Sequence, residues 1–230
     1  MKIITISREF GSGGRELGKR LADALGIPCY DHEIIEMIAK ENGFDERYVA
    51  TVSEKSIEAA YPMTIGHRFA VPPLQVMDQP IRVATAQRQI IENFAKQSDC
   101  VIVGRSADVI LEEMKPLNIF VYADMPSRLQ RCKDRAPEGE NLTDKELTRM
   151  IRQIDKQRAQ HHHMYSDMKW GAKEAYHLCI NTSGKEIKAL IPALAQYAKA
   201  WFVRKNKLRG PQRGPLIHKE RSHEADCIMR

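Results

Sequence analysis

Two spacings of apolar residues alternate along the chain. Mainly apolar runs at residues 3–6, 100–103, 118–122 and 177–180, with a less apolar one at 28–31, predict buried strands. Elsewhere the apolar positions recur at helical spacing, as in Leu17, Leu21 and Leu25, then Ile34, Ile35 and Ile38, then residues 81–96. Leu147, Met150, Ile151 and Ile154 mark a later helix, and Leu190, Ile191, Leu194, Tyr197, Ala198 and Trp201 mark the last. The punctuation agrees. Gly26 closes the first helix and Pro28 bars its return, while Asp124 and Pro126 open another. Thr143, with Glu146 three residues on, fits a capping box. Apolar strands alternating with helices predict an α/β fold whose five-stranded parallel sheet carries helices on both faces. Residues 42–80, with Pro62, Pro72, Pro73 and Pro80, show weak periodicity and read as a helical insertion with loops. Periodicity also ends after Phe202, so residues 203–230 read as a basic, flexible tail.

Charge changes this picture only locally. The formal net charge of +6 suggests a nucleic-acid partner until its distribution is examined. Residues 204–230 hold eight Lys/Arg against three carboxylates, a surplus of five that leaves +1 for the rest. No nucleic-acid partner is expected for the body, the tail being the one place for such an arm, and any basic cleft must be local. No apolar run is long enough for a membrane span, and the start of the chain lacks the apolar stretch of a signal peptide. The five cysteines are scattered without a CxxC pair, which fits a reducing, cytoplasmic setting. His161, His162 and His163 are consecutive, and consecutive helical residues do not share a face, so they do not read as a metal site.

The segment that carries chemistry is the turn Gly11-Ser12-Gly13-Gly14 between the first strand and the first helix. Such a turn exposes a row of backbone N–H groups beside the positive end of a helix, which suits a phosphate. The strict GxxxxGK[ST] pattern fails: with Gly11 and Gly13 as the inner turn glycines, Gly14 stands where lysine is usual, and neither Arg15 nor Glu16 after it offers the usual Ser or Thr hydroxyl. A positive charge must then come from Arg15, Arg8 or the far side of the cleft. Asp31 and Arg105 each follow a strand, at the edge where open α/β sheets bind ligands.

On residues 4–17, Tyr30-Asp31, residues 101–108 and Lys169-Trp170-Gly171, the sequence resembles the cytidylate-kinase-like family of P-loop nucleoside monophosphate kinases, over nearly all of residues 1–202. That resemblance implies a P-loop kinase domain over 1–202, with an acceptor-binding insertion at about 42–80 and a helical lid at about 135–170. It implies an ATP-dependent phosphotransferase acting on a nucleoside monophosphate, CMP or dCMP first, with Mg²⁺ accompanying ATP. Gly11, Ser12, Gly13, Gly14, Arg15, Glu16 and Arg131 would then hold ATP, and Asp31, Arg82 and Arg105 the acceptor. Arg15 and the lid cations Arg152, Lys156 and Arg158 would stabilise the transferring group. The exchange at Gly14 and Glu16 displaces the usual magnesium-binding hydroxyl, leaving Ser12 or Ser7 to substitute. It also keeps open a kinase of another small acceptor, or a nucleotide-binding module without turnover.

Overall fold

The computed structural model describes residues 1–43, 45, 46, 49, 74–136 and 142–207, with 74–80 and 204–207 described as backbone. Five strands, β1 (Ile3–Arg8), β2 (Cys29–Tyr30), β3 (Cys100–Val103), β4 (Leu117–Tyr122) and β5 (Leu178–Asn181), form one parallel sheet in the order β2-β3-β1-β4-β5. Each pairing is parallel, with Ile3 opposite Cys100, Ile4 opposite Leu117, Cys29 opposite Val101 and Ile119 opposite Leu178. Parallel strands need crossovers, which helices supply: α1 (Gly14–Leu25), α2 (His32–Asn42), α3 (Leu74–Gln97), α4 (Ala107–Ile110), α5 (Met125–Lys133), α6 (Asp144–His163) and α7 (Ile187–Lys207).

The strand runs are apolar on both faces because both faces are covered. Ile3, Cys100 and Ile102 pack with Ile34, Ile38, Ile91 and Phe94 of α2 and α3. Their neighbours Ile4, Ile6, Val101 and Val103 point the other way, against Leu17, Leu21, Ile191 and Ala198 of α1 and α7. Alternation of side chains about each strand thus builds two cores from one sheet.

Several local expectations hold in detail. Gly26 closes α1 at φ 67. Asp124 accepts the Ser127 amide at 2.9 Å, with Pro126 in the first turn of α5. Thr143 and Glu146 complete the reciprocal capping box that starts α6. Two boundaries differ. Helix α3 begins at Leu74 and runs through Pro80, since a single proline removes one intrahelical hydrogen bond without obliging the helix to stop. Helix α7 continues to Lys207, past the expected end at Phe202. Most of the expected insertion at 42–80 and all of 208–230 lie outside the described residues. No helix among the described residues is long and apolar enough to cross a membrane.

This topology sets the site. Chain leaving the carboxyl ends of β1, β2, β3 and β5 supplies the glycine turn, Asp31, Gly104-Arg105 and Thr182, all on one edge of the sheet.

Candidate phosphate-binding cleft

The turn after β1 delivers a helix start that no side chain caps. Gly13 is the N-cap, in the left-handed region at φ 82, and the first intrahelical bond is from Leu17 N to Gly13 O at 2.9 Å. The amides of Gly13, Gly14, Arg15 and Glu16 precede that bond and have no intrahelical acceptor. The Ser12 amide and hydroxyl are already committed, both donating to Glu9 O, at 3.3 and 2.8 Å. Fixed inner bonds and an uncapped helix start give an anion site that needs little reorganisation.

Two arginines, Arg128 buried and Arg131 half-buried, hold the turn in place. Arg128 of α5, 5% exposed, donates Nε–H to Phe10 O at 2.6 Å and pairs with Glu9 at 3.2 Å and with Asp155 of α6. Asp155 in turn accepts the Phe10 amide at 2.8 Å. Burial pushes the Glu9 carboxyl upward, against the Ala123 amide and Arg128, which pull it down. Arg131 spans from the turn to the loop after β5, donating to Gly11 O and Ser12 O at 3.4 Å each and to Lys185 O at 3.0 Å. Thr182 completes the clamp, its hydroxyl donating to Ser12 O at 2.7 Å. Arg131's hydrogen bonds among the described residues all go to neutral oxygens, so its charge still acts on an anion in the cleft. Burial, then the neighbouring Arg135, pushes its guanidinium below the usual arginine range.

Opposite the turn stands a second group of charges. Asp31 occupies the N-cap position of α2 without capping it. Its carboxylate instead takes Arg15 at 2.6 Å and lies 3.7 Å from Arg8. Arg105 is 7% exposed, and its carbonyl accepts Gln87 Nε2 at 3.3 Å. Gly104, Arg105 and Ser106 are all left-handed, at φ 77, 61 and 51. For the two non-glycine residues this is strain of ~1–3 kcal/mol each, of the kind that clusters at ligand sites. Arg158 of α6 donates to Arg8 O at 3.2 Å and lies 5.6 Å from the Phe10 ring centroid, a cation–π contact.

Between these walls lies a cleft of about 890 Å³. Seven Lys/Arg side chains line it (Arg8, Arg15, Arg105, Arg131, Lys133, Arg135 and Arg158) against the carboxylates of Glu9, Asp31 and Asp144. The basic cleft is therefore local, inside a body close to neutral.

The structure gathers Gly11, Gly13, Gly14, Arg15, Asp31, Arg105, Arg131 and Arg158 on this cleft. It does not bring the others to it. Ser12 is fully buried and its hydroxyl is given to Glu9 O. Glu16 pairs with Arg20 at 2.8 Å and with Arg135, beside the cleft. Arg82 is exposed on α3 and does not line the cleft. Arg152 and Lys156 are exposed on α6 and are absent from its walls too. Of the three lid cations the cleft takes Arg158, which falls seven residues after buried Ile151 and so shares its face of α6. That register was present in the sequence.

Sequence reasoning missed the pins Arg128, Asp155 and Thr182, whose partners are distant along the chain. It also missed a polar cluster beneath the cleft. There His162 Nε2 lies 3.0 Å from Asp108 Oδ2, and His161 Nδ1 lies 3.0 Å from Ser106 Oγ. Trp170, from the segment Lys169-Trp170-Gly171, packs edge-on to Phe120 of β4 at 5.2 Å.

The protein groups at the turn do not fit a resident metal. Ser12 Oγ is spent on a carbonyl, Ser7 is buried, Glu16 and Asp31 are tied to arginines, and no described trio of His, Cys, Asp or Glu could hold an ion. Any magnesium here would take most of its ligands from nucleotide phosphates and water.

Comparison with known proteins adds to this geometry. A crystal structure of an uncharacterized protein from Eubacterium ventriosum ATCC 27560 is similar at 25% identity and TM-score 0.62, over 87% of this chain and 99% of that one. A shikimate kinase from Acinetobacter baumannii, in complex with shikimate, matches at 16% identity and TM-score 0.46, over 91% and 96% of the two chains. One from Bacteroides thetaiotaomicron matches at 15% and 0.49, over 88% and 98%. Likenesses that distant carry nothing about activity. A search of curated proteins found no match. The family model for the cytidylate kinase-like family matches residues 3–184, most of the chain, and with the parallel sheet and the glycine turn in place the protein belongs to that family.

Proposed function

We propose that this protein is a phosphotransferase that moves the γ-phosphoryl group of ATP to a nucleoside monophosphate, with CMP or dCMP as the leading acceptor. The observation that carries this reading is the uncapped start of α1 at the floor of a cleft lined by seven cations. Phosphoryl transfer asks the protein for in-line positioning and charge neutralisation more than for covalent chemistry. An oxygen of the acceptor phosphate bonds to the γ-phosphorus as the bridging P–O bond to the β-phosphate breaks, and ADP departs. Mg²⁺, arriving on the ATP phosphates, would neutralise part of their charge.

In this reading the amides of Gly13 to Glu16, with Arg15 and Arg131, hold the donor phosphates. Asp31 and Arg105 face the acceptor, and Arg158 stabilises charge on the transferring group. Guanidinium groups suit the task because each is planar, permanently charged and able to fork two hydrogen bonds onto a phosphate. Residues at about 42–80 serve as the acceptor-binding insertion and those at about 135–170 as the lid, whose closure excludes water. The test is coupled ADP release across a panel of nucleoside monophosphates. CMP or dCMP should give the highest kcat/KM, and ADP release with none of them would defeat the reading.

A second reading keeps ATP and changes the acceptor to another small metabolite. It is favoured by the position of Arg82 away from the cleft and by the engagement of Asp31 with Arg15. A flat nucleotide panel alongside turnover with a phosphate-free alcohol would select it.

A further inference from the structure

Set on the GxxxxGK pattern with Gly13 as its second glycine, the chain departs at two positions. The first motif glycine falls on residue 8, which is Arg8, and the motif lysine falls on residue 14, which is Gly14. The small residue and the cation have changed places. The structure shows that the two departures are one. A β-carbon on Gly14 would lie 2.5 Å from Arg8 Cβ and 3.0 Å from its Cγ, so no side chain fits at 14 while Arg8 stands where it does. Gly14 has an ordinary helical backbone, which leaves crowding as its reason to be glycine, first by Arg8 and less closely by Val121 Cβ at 3.3 Å. The path stays clear further along. A β-carbon on Gly104, at the end of β3, would lie 1.6 Å from Arg8 Nη1. The Arg8 stem therefore crosses the start of α1 and its head rests between the ends of β1 and β3. There it lines the cleft, its side chain 11% exposed and 3.7 Å from Asp31.

We infer that Arg8 supplies, from the other side of the turn, the cation that lysine supplies in the standard motif, so that its guanidinium contacts the β- and γ-phosphates of bound ATP. This rests on the proposed ATP-dependent function and names the charge that function needs. The surroundings suit the role. Arg158 fixes the Arg8 carbonyl at 3.2 Å, anchoring the root of the side chain. Asp31 Oδ1, at 3.7 Å, is beyond a normal hydrogen bond, whereas Arg15 holds the other carboxylate oxygen at 2.6 Å. Guanidinium also offers two parallel donors where an ammonium offers a point charge, which matches a head approaching the phosphates from the side.

Reciprocal exchange tests this. ATP and AMP affinities with Mg²⁺ present, and the melting temperature without ligand, are measured for the wild type, Arg8→Gly, Gly14→Lys and the double variant. Arg8→Gly should weaken ATP binding by ~10-fold or more while AMP binding changes less than ~2-fold, the size of one charge-assisted contact to the outer phosphates. Gly14→Lys alone should lower the melting temperature, and the double variant should regain most of the lost ATP affinity. A purely structural Arg8 would move the melting temperature and leave the preference for ATP over AMP intact, which overturns the inference. So does a double variant that folds and binds ATP no better than Arg8→Gly. Should the double variant not fold, Arg8→Lys and Arg8→Gln decide: equal ATP affinity in both removes charge as the cause. A wild type that binds no ATP ends the proposed function itself, a result distinct from a wild type that binds and an Arg8→Gly variant that binds equally well.

Discussion

The two walls of the cleft are built differently. On the donor side, the glycine turn is clamped by buried Arg128 with Asp155 and by Arg131 with Thr182. On the far side, Arg158 reaches the cleft while Arg152 and Lys156 stay exposed on the same helix and Arg82 lies away from it. The contrast teaches that the glycine turn is held by side chains from distant elements, whereas the cations of the opposite wall divide between the cleft and the exposed face of their helix. The turn side is the preorganised half.

The sharpest way to break that contrast is to cut the clamp. Asp155→Ala leaves Arg128 with Glu9 as its one carboxylate among the described residues and takes the acceptor from the Phe10 amide, and should cost ~1–3 kcal/mol of stability. Arg152→Ala on the exposed side should stay within ~0.5 kcal/mol. Urea denaturation of both variants checks this, and equal losses would erase the distinction between the walls.

Under the proposed function, turnover should divide the cations of α6 in the same way. Arg158→Ala is expected to lower kcat by ~10²-fold, the usual cost of one preorganised donor to a developing charge. Arg152→Ala and Lys156→Ala should remain within ~3-fold, as for exposed charges. Steady-state kinetics with the best acceptor measures all three, and a large drop for Lys156→Ala would erase the division between the two faces of α6.

A smaller effect sharpens the donor side alone. Cys132 lines the cleft, and its Sγ would stand 3.1 Å from a β-carbon on Gly11. Its alkylation, followed by peptide mass mapping, should slow several-fold when ATP and Mg²⁺ are added. Cys179, outside the cleft, should react at an unchanged rate.

The smallest effect concerns the scaffold under both walls. Burial pushes the Cys29 and Cys100 thiols up, to about 12 and about 11 from 9.0. The folded state then holds these protons more tightly than the unfolded chain does. Their contribution to stability is complete below about pH 9 and is lost as pH climbs through 11 to 12. Melting temperatures from pH 8 to 11 should show an alkaline decline that Cys100→Ala makes shallower.

Much of this molecule was written in local patterns. Short apolar runs became the five strands because a parallel sheet covered on both faces leaves no strand side to polar residues. The glycine turn was legible because only a strand leading into a helix puts such a turn at an uncapped helix start. The Thr143–Glu146 box was legible because its partners are three residues apart. Arg158 could also have been separated from Arg152 and Lys156, by its place on the stripe of Leu147 and Ile151.

What the sequence by itself determined, then, is everything that depends on neighbours within a turn or two: strands, helices, their ends and the phosphate turn. The folded chain alone decided which charges meet. Arg131 finds Gly11 and Thr182, Arg128 finds Phe10 and Arg8 takes the room that Gly14 leaves, and all but the last of these partners lie far apart along the chain. The reason is physical. Backbone geometry is set by short-range sterics and hydrogen bonds, whereas the partner of a long charged side chain is set by which elements the sheet brings side by side.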